Sequence, residues 1–402
     1  MKKFIKPALM VCAALTLGLV SCSKEETASV NGKDKTVVLS FSQEGLQQSR
    51  AASTHVDAST AVVMSNARVY FVDNGGAILS YCSIDFTAGG KALPYDAGSK
   101  TVGVDQITAA GTGAEITAVP GSTTKVVIVG NYPAAYPTTG NISQLNAATA
   151  ITVQQQFDAT GKGVDKVVLF GENTLTVVDA DNNKYSSKVQ IEPIASRIEI
   201  GTISGDFAGS TIKSFTLNGI YINRYYPSMG INGVAMGTIV NNGSDVAKYN
   251  GAIAGSSYTA LDESLADYTA SRLVVQGSPA NKYGPKASVG ATDVWGYNLL
   301  APTGGATPSI VVRVSNVVTN DGVTDDAVTY AGVKFLTIRN FYLASAPTTP
   351  LASLDNRNVY RIKELKFAEF HLTPNPEMNL IDITVEAEVM TWIPNDVDYD
   401  FN

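Results

Sequence analysis

The chain has 402 residues, room for two or three ordinary domains with cores of their own. Hydrophobic residues make up 45% and charged residues only 16%, which excludes an intrinsically disordered chain. Lys and Arg number 29 against 36 Asp and Glu, a net charge of −7, so no nucleic-acid partner is expected.

The first residues read as an address rather than as fold. Lys2, Lys3 and Lys6 form a positive start, and residues 8–20 an apolar stretch too short to span a bilayer as a stable helix. Leu19-Val20-Ser21-Cys22 then resembles a bacterial lipobox, with Cys22 as the lipidated first residue of the mature chain. Residues 1–21 carry three lysines and no acid, so their removal takes the net charge from −7 to −10. With no further long apolar run, the mature protein is expected to hang from the outer membrane by this lipid alone. The acidic run Ser23-Lys24-Glu25-Glu26 resembles the surface-export signal of lipoproteins from the Bacteroidia, and serves equally as a solvated tether.

Residues 36–42 alternate, with Val37, Leu39 and Phe41 on one face, the pattern of a half-buried strand. A polar, small-residue loop follows over residues 43–54, with Arg50 in its middle and Ala51 next; exposed loops of this kind are where proteases cut. Residues 68–72 and 77–79 flank the turn Asp73-Asn74-Gly75-Gly76 and predict a hairpin. Further strands are predicted at 125–129, 175–178, 188–191, 197–203, 214–222, 310–317, 335–338 and 360–367. Helical signals are brief: a turn or two over 145–151 capped by Ser143, and 261–273 with Leu261, Leu265, Tyr268 and Leu273 at helical spacing. Residues 240–257 read as a long surface loop. The class is all-β with minor helices, arranged as two β-sandwich domains that divide near Glu192-Pro193, where a proline breaks the strand pattern.

The motifs of chemistry fail in turn. After lipidation Cys82 is the only other cysteine, so no internal disulfide is available, and a strand-borne thiol with two histidines in the whole chain reads as buried and inert. Residues 158–163 lack the first glycine and the final Ser/Thr of a phosphate loop. Asp179, Asp181 and Asn183 have the spacing of a calcium loop, but Lys184 stands where glycine is needed and Gln190 where a bidentate Glu is needed. Glu386 and Glu388 read as the wet side of an amphipathic strand, and Trp295 and Trp392 are a thin basis for sugar stacking. No catalytic residue, no cofactor and no metal are expected; the chain does not read as an enzyme.

At the far end, residues 381–389 alternate apolar with polar. Past Pro394-Asn395, the residues Val397, Tyr399 and Phe401 share one face, and Asp396, Asp398 and Asp400 the other. Three apolar side chains at period two are unusual in a tail, and they match Val37, Leu39 and Phe41 in number and spacing. Residues 379–393 before them read either as part of the same extension or as a strand of the second domain.

Taken in order, these features resemble the type V pilins, the FimA-like fimbrillins of the Bacteroidia. The resemblance is carried by the lipobox at Cys22, the first strand with its Arg50 loop, Ala195-Ser196-Arg197-Ile198, the run Arg357-Asn358-Val359-Tyr360-Arg361-Ile362, and Val389-Met390-Thr391-Trp392 before the extension. One departure is Glu192-Pro193, near which members often carry a basic residue. The resemblance implies two transthyretin-like sandwiches in tandem: a signal peptide over 1–21, a lipidated propeptide over 22–50, domains over 51–192 and 193–392, and a donor extension over 393–402. It further implies cleavage between Arg50 and Ala51 by an arginine-specific protease and departure of the strand bearing Val37, Leu39 and Phe41. The vacated groove is then filled by Val397, Tyr399 and Phe401 of another subunit, head to tail, at the cell surface. The product is a fimbria supporting adhesion, with this chain read as a shaft subunit in preference to a small tip subunit. The other reading of the same residues is a surface lipoprotein that binds glycans or host proteins without polymerising.

Overall fold

The computed structural model describes residues 32–42, 66–85, 91–93, 114–132, 134–147, 151–152, 167–226, 228–249, 273–275, 281–285, 295–300, 304–320, 327–343, 346–355, 358–378 and 384–391. The first eleven strands are β1 (Lys35–Ser42), β2 (Asn66–Val72), β3 (Ile78–Asp85), β4 (Lys91–Leu93), β5 (Ala114–Val119), β6 (Lys125–Gly130), β7 (Ile151–Thr152), β8 (Leu169–Thr174), β9 (Thr176–Asp179), β10 (Lys184–Gln190) and β11 (Glu192–Pro193). One short helix, α1 (Ser143–Ala147), falls among them. Then come β12 (Ala195–Ser204), β13 (Ile212–Asn223), β14 (Ser228–Met229), β15 (Ala235–Met236), β16 (Leu273–Val275), β17 (Lys282–Pro285) and β18 (Trp295–Leu300). The last are β19 (Ser309–Asn320), β20 (Ala327–Ile338), β21 (Asn340–Leu343), β22 (Ala346–Pro350), β23 (Asn358–Lys366) and β24 (Thr384–Thr391). The chain is all-β.

Two sheets pair in the first part of the chain: four strands in the order β5-β1-β10-β9, and six in the order β11-β8-β6-β2-β3-β4. Val69 and Phe71 of β2, Val126 and Ile128 of β6 and Leu169 of β8 meet Val37 and Leu39 of β1, Ile116 of β5 and Val189 of β10 in one buried cluster. Alternation along each strand supplies this inward row. Gly171 of β8 lets the sheets close up, since a Cβ there would lie 2.1 Å from the Gln190 carbonyl oxygen of β10. The predicted hairpin is β2–β3: the Gly76 amide donates to the Asp73 carbonyl, and Asp73 Oδ1 accepts the Ala77 amide at 2.8 Å.

The opposite face of the six-stranded sheet is not exposed. Tyr70, Val72, Val127 and Val129 join a second, larger cluster with Ile198 and Ile200 of β12, Leu217 and Ile220 of β13, Val312 and Val314 of β19 and Leu336 of β20. This cluster fills the space between the three-stranded sheet β13-β19-β20 and an eight-stranded sheet, ordered β16-β17-β12-β23-β24-β21-β22 with β18 also on β12. The two-residue strands β7 and β14 pair across the halves, Ser228 opposite Thr152.

Several sequence expectations are corrected. Ser143 is the first residue of α1 rather than its cap; Asn141 Oδ1 accepts the Ser143 amide at 2.9 Å and does the capping. The helix ends at Ala147, and Ile151 is already strand, paired with Met229 of β14. Leu273, expected at the end of a helix, opens strand β16 opposite Pro285; the rest of 261–273 lies outside the described residues. Within 240–257, residues Val246–Tyr249 form a 3-10 turn that docks rather than floats: Tyr249 is fully buried, its ring 5.4 Å from Tyr221.

Candidate functional site

The first strand occupies the interior of its sheet. β1 runs parallel to β10, from Thr36 opposite Lys184 to Ser42 opposite Gln190. On its other side it is antiparallel to β5, with Lys35, Val37, Val38 and Leu39 opposite Val119, Ile116, Glu115 and Ala114. An edge strand leaves one row of backbone donors and acceptors unpaired; a strand in this position uses both rows. Val37 is 0% exposed and Leu39 3%, and Phe41 takes the position opposite Val189, itself buried.

The N-terminal end of β1 is fastened by polar contacts. Lys35 has the same strand parity as Val37, so its stem enters the groove; its ammonium donates to the Thr123 carbonyl at 2.6 Å and lies 4.5 Å from the centre of the Tyr185 ring. Burial lowers the pKa of this ammonium from the usual lysine value. Asn183, in the left-handed region at φ 55, donates its side-chain amide to the carbonyls of Lys33 and Asp34, and its own carbonyl accepts the Thr36 amide. On the outward face, Lys184 of β10 reaches over β1 to Glu115 of β5, with Nζ 2.8 Å from Oε2. Both strands flanking β1 are therefore tied to it and to each other. Without β1, the space between β5 and β10 is a groove floored by Val69, Phe71 and Ile128, with a row of unpaired backbone groups on each wall.

Of the residues singled out in the sequence, Val37, Leu39 and Phe41 are therefore together in one groove strand. Cys22, Arg50, Ala51, Val397, Tyr399 and Phe401 lie outside the described residues, as do residues 158–163 and Trp392. The Cys82 thiol is buried in β3 and burial pushes its pKa up to about 12, so no thiolate forms near neutrality. Asp179 serves a turn: its Oδ1 accepts the amides of Asp181 and Asn182 and its Oδ2 the Asn182 side chain, which holds its pKa down. The stretch 379–393, open between tail and strand, contains β24, which is antiparallel to β23 and parallel to β21 inside the eight-stranded sheet.

The three downstream segments that carried the family resemblance are neighbours. Arg197 of β12 is opposite Val359 of β23, and Val359 is opposite Met390 of β24. Here the sequence concealed an ion triad. Glu199, fully buried, accepts from Arg197 Nε at 2.8 Å and from Arg361 Nη2 and Nε at 2.6 and 2.9 Å. The groove walls are only partly legible in the sequence: β5 lies outside every predicted strand and the start of β10 outside 188–191, whereas the parity of Lys35 with Val37 and Leu39 is readable.

No protein-family profile and no curated protein matches the sequence. Solved structures do. A candidate cell-adhesion protein from Bacteroides eggerthii is 13% identical, over 91% of this chain and 98% of that one, with a TM-score of 0.49. A fimbrilin from Porphyromonas gingivalis is 12% identical over 90% and 98%, TM-score 0.47. A candidate cell-adhesion protein from Parabacteroides distasonis is 12% identical over 90% and 100%, TM-score 0.46. The solved structures this chain resembles are thus fimbrilins and candidate cell-adhesion proteins of the Bacteroidia.

Proposed function

We propose that the chain is a shaft subunit of a cell-surface fimbria: a precursor lipidated at Cys22, cut between Arg50 and Ala51 by an arginine-specific protease, and joined to its neighbours by strand exchange. In this reading residues 51–192 and 193–392 are its two domains and residues 393–402 the donor extension. The observation that carries the reading is the interior position of β1 between β5 and β10. The strand belongs to the segment that a cut after Arg50 would separate from the rest of the chain, so afterwards only non-covalent contacts would hold it. Its loss leaves an apolar groove with two unpaired walls, a state that favours capture of another extended segment.

Magnitudes support this. Three buried apolar side chains at ~1.5–3 kcal/mol each give about 5–9 kcal/mol, and each inter-strand hydrogen bond adds roughly 0.5–1.5 kcal/mol net. A nanomolar junction needs about 12 kcal/mol after ordering costs, so the extension suffices only if both ladders are restored and adjoining residues also dock. Insertion of a tail into the next copy is head to tail and does not close, so the product is a filament.

The reading is tested by exposing the full-length precursor to an arginine-specific protease and sequencing the new N-terminus. A new end at Ala51, with the fragment ending at Arg50 released as assemblies appear by size-exclusion chromatography, is expected. A folded precursor in which Arg50 resists cleavage would favour the non-polymerising surface lipoprotein instead.

A further inference from the structure

Resting on that reading, the register of β1 allows the junction to be specified further. Outward positions 36, 38 and 40 of β1 lie opposite Lys184, Ser186 and Lys188 of β10. The resident strand meets these two lysines with Thr36 and Ser40, both uncharged. The extension has the same apolar spacing but Asp396, Asp398 and Asp400 between its apolar residues. We infer that residues 395–402 of a second copy enter the groove parallel to β10 and in the register of β1, Val397 at the Val37 position, Tyr399 at Leu39 and Phe401 at Phe41, so that Asp396 faces Lys184 and Asp400 faces Lys188.

Direction follows from charge and size together. In the reversed direction Asn402 would face Lys184 and Asp400 would face Ser186, leaving one Asp–Lys pair, Asp398 with Lys188, in place of two, and Phe401 would fall at the Val37 position, where the side chain is already fully buried. The forward direction retains valine at that position and phenylalanine at position 41, and among the three apolar positions changes size only where Tyr399 replaces Leu39. Position 39 is opposite Ser187, whose buried hydroxyl has no hydrogen-bond partner. The forward direction also places Asn395 where Lys35 stands, replacing a desolvated cation by a neutral amide. One contact opposes it: Asp398 would face Glu115 across the β5 wall, and Lys184, already paired with Glu115, lies between the two carboxylates. The exchanged strand is thus better matched to the β10 wall than the strand it displaces. This gives the swap a direction: a strand with an uncharged outward row leaves and one with an acidic outward row enters.

Two sets of full-length variants test this after protease treatment. A chain carrying Ser186→Cys with Asp398→Cys should give a ladder that survives boiling without reductant, and one carrying Ser186→Cys with Asp400→Cys should not. The opposite pattern would overturn the register. Lys184→Glu with Lys188→Glu should cut assembly at least about threefold, the effect expected of two reversed cross-strand pairs. Adding Asp396→Lys and Asp400→Lys should restore it. Glu115→Gln, which removes the Lys184 ion pair without touching the lysines, should leave assembly intact or raise it. A ladder indifferent to all the charge changes would overturn this inference and leave strand exchange standing; no ladder from the unaltered chain would overturn both.

Discussion

Glu199 illustrates how far a single residue can depart from its sequence pattern. In Arg197-Ile198-Glu199-Ile200 the alternation reads as apolar in and charged out, yet residues 195–200 are buried on both faces of β12. Such two-sided burial is typical of a central strand covered on both sides, and neighbours distant in sequence decide it, here Arg361 on β23. Removing one partner from a buried ion cluster strands the others in low dielectric. Glu199→Ala should therefore lower the unfolding free energy by about 3–5 kcal/mol in urea titrations. His371 makes a second residue-scale prediction. Its Nδ1 accepts the Ala368 amide at 2.9 Å, its ring meets Phe207 edge-on and lies tilted against Phe370, and burial lowers its pKa from 6.5, with Glu369 opposing. The unfolded chain then binds the proton more readily than the fold. The stabilisation is fully present above pH 6.5 and is lost as pH falls below it. Thermal unfolding of the wild type between pH 7.5 and 5.5 should fall more than that of His371→Gln.

At the scale of elements, β1 was legible as a strand because Val37, Leu39 and Phe41 alternate with smaller or polar residues. Its partners were not legible. β10 meets it in parallel about 150 residues away, and nothing in local periodicity specifies a pairing at that distance. The hairpin β2–β3 was readable because its turn chemistry is local, whereas the 3-10 turn at Tyr249 looked like loop because the contact that buries it comes from Tyr221 and Phe335. For the groove, the proposed exchange implies a division of labour between two strands. Leu39→Ala should destabilise the uncut precursor by about 2–5 kcal/mol, measured by denaturant unfolding. It should leave assembled filaments unaffected, since in them the strand has gone. Tyr399→Ala should do the reverse, sparing the precursor and weakening the filament against heating in detergent. If both substitutions affected the same species, the two strands would not be alternatives for one groove.

For the whole molecule, the two cores are unequal, and the proposed exchange would act on the smaller. Val37 and Leu39 lie in the cluster between the four- and six-stranded sheets, while the larger cluster that joins the six-stranded sheet to β12, β13, β19 and β20 contains none of the described side chains of β1. Loss of the first strand would therefore leave the larger core closed, as the proposed exchange requires. The ends of the chain mattered most in the sequence, since the lipobox, the Arg50 loop and the matched apolar triplets are all local patterns. The groove between them had to come from three dimensions. The most direct test treats purified full-length precursor with an arginine-specific protease and runs it unboiled in detergent, beside a chain lacking residues 396–402. The account predicts a ladder of multimers from the first and monomer from the second, both cut before Ala51. A ladder that persists without residues 396–402, or a clean cut that yields only monomer from the intact chain, would contradict it.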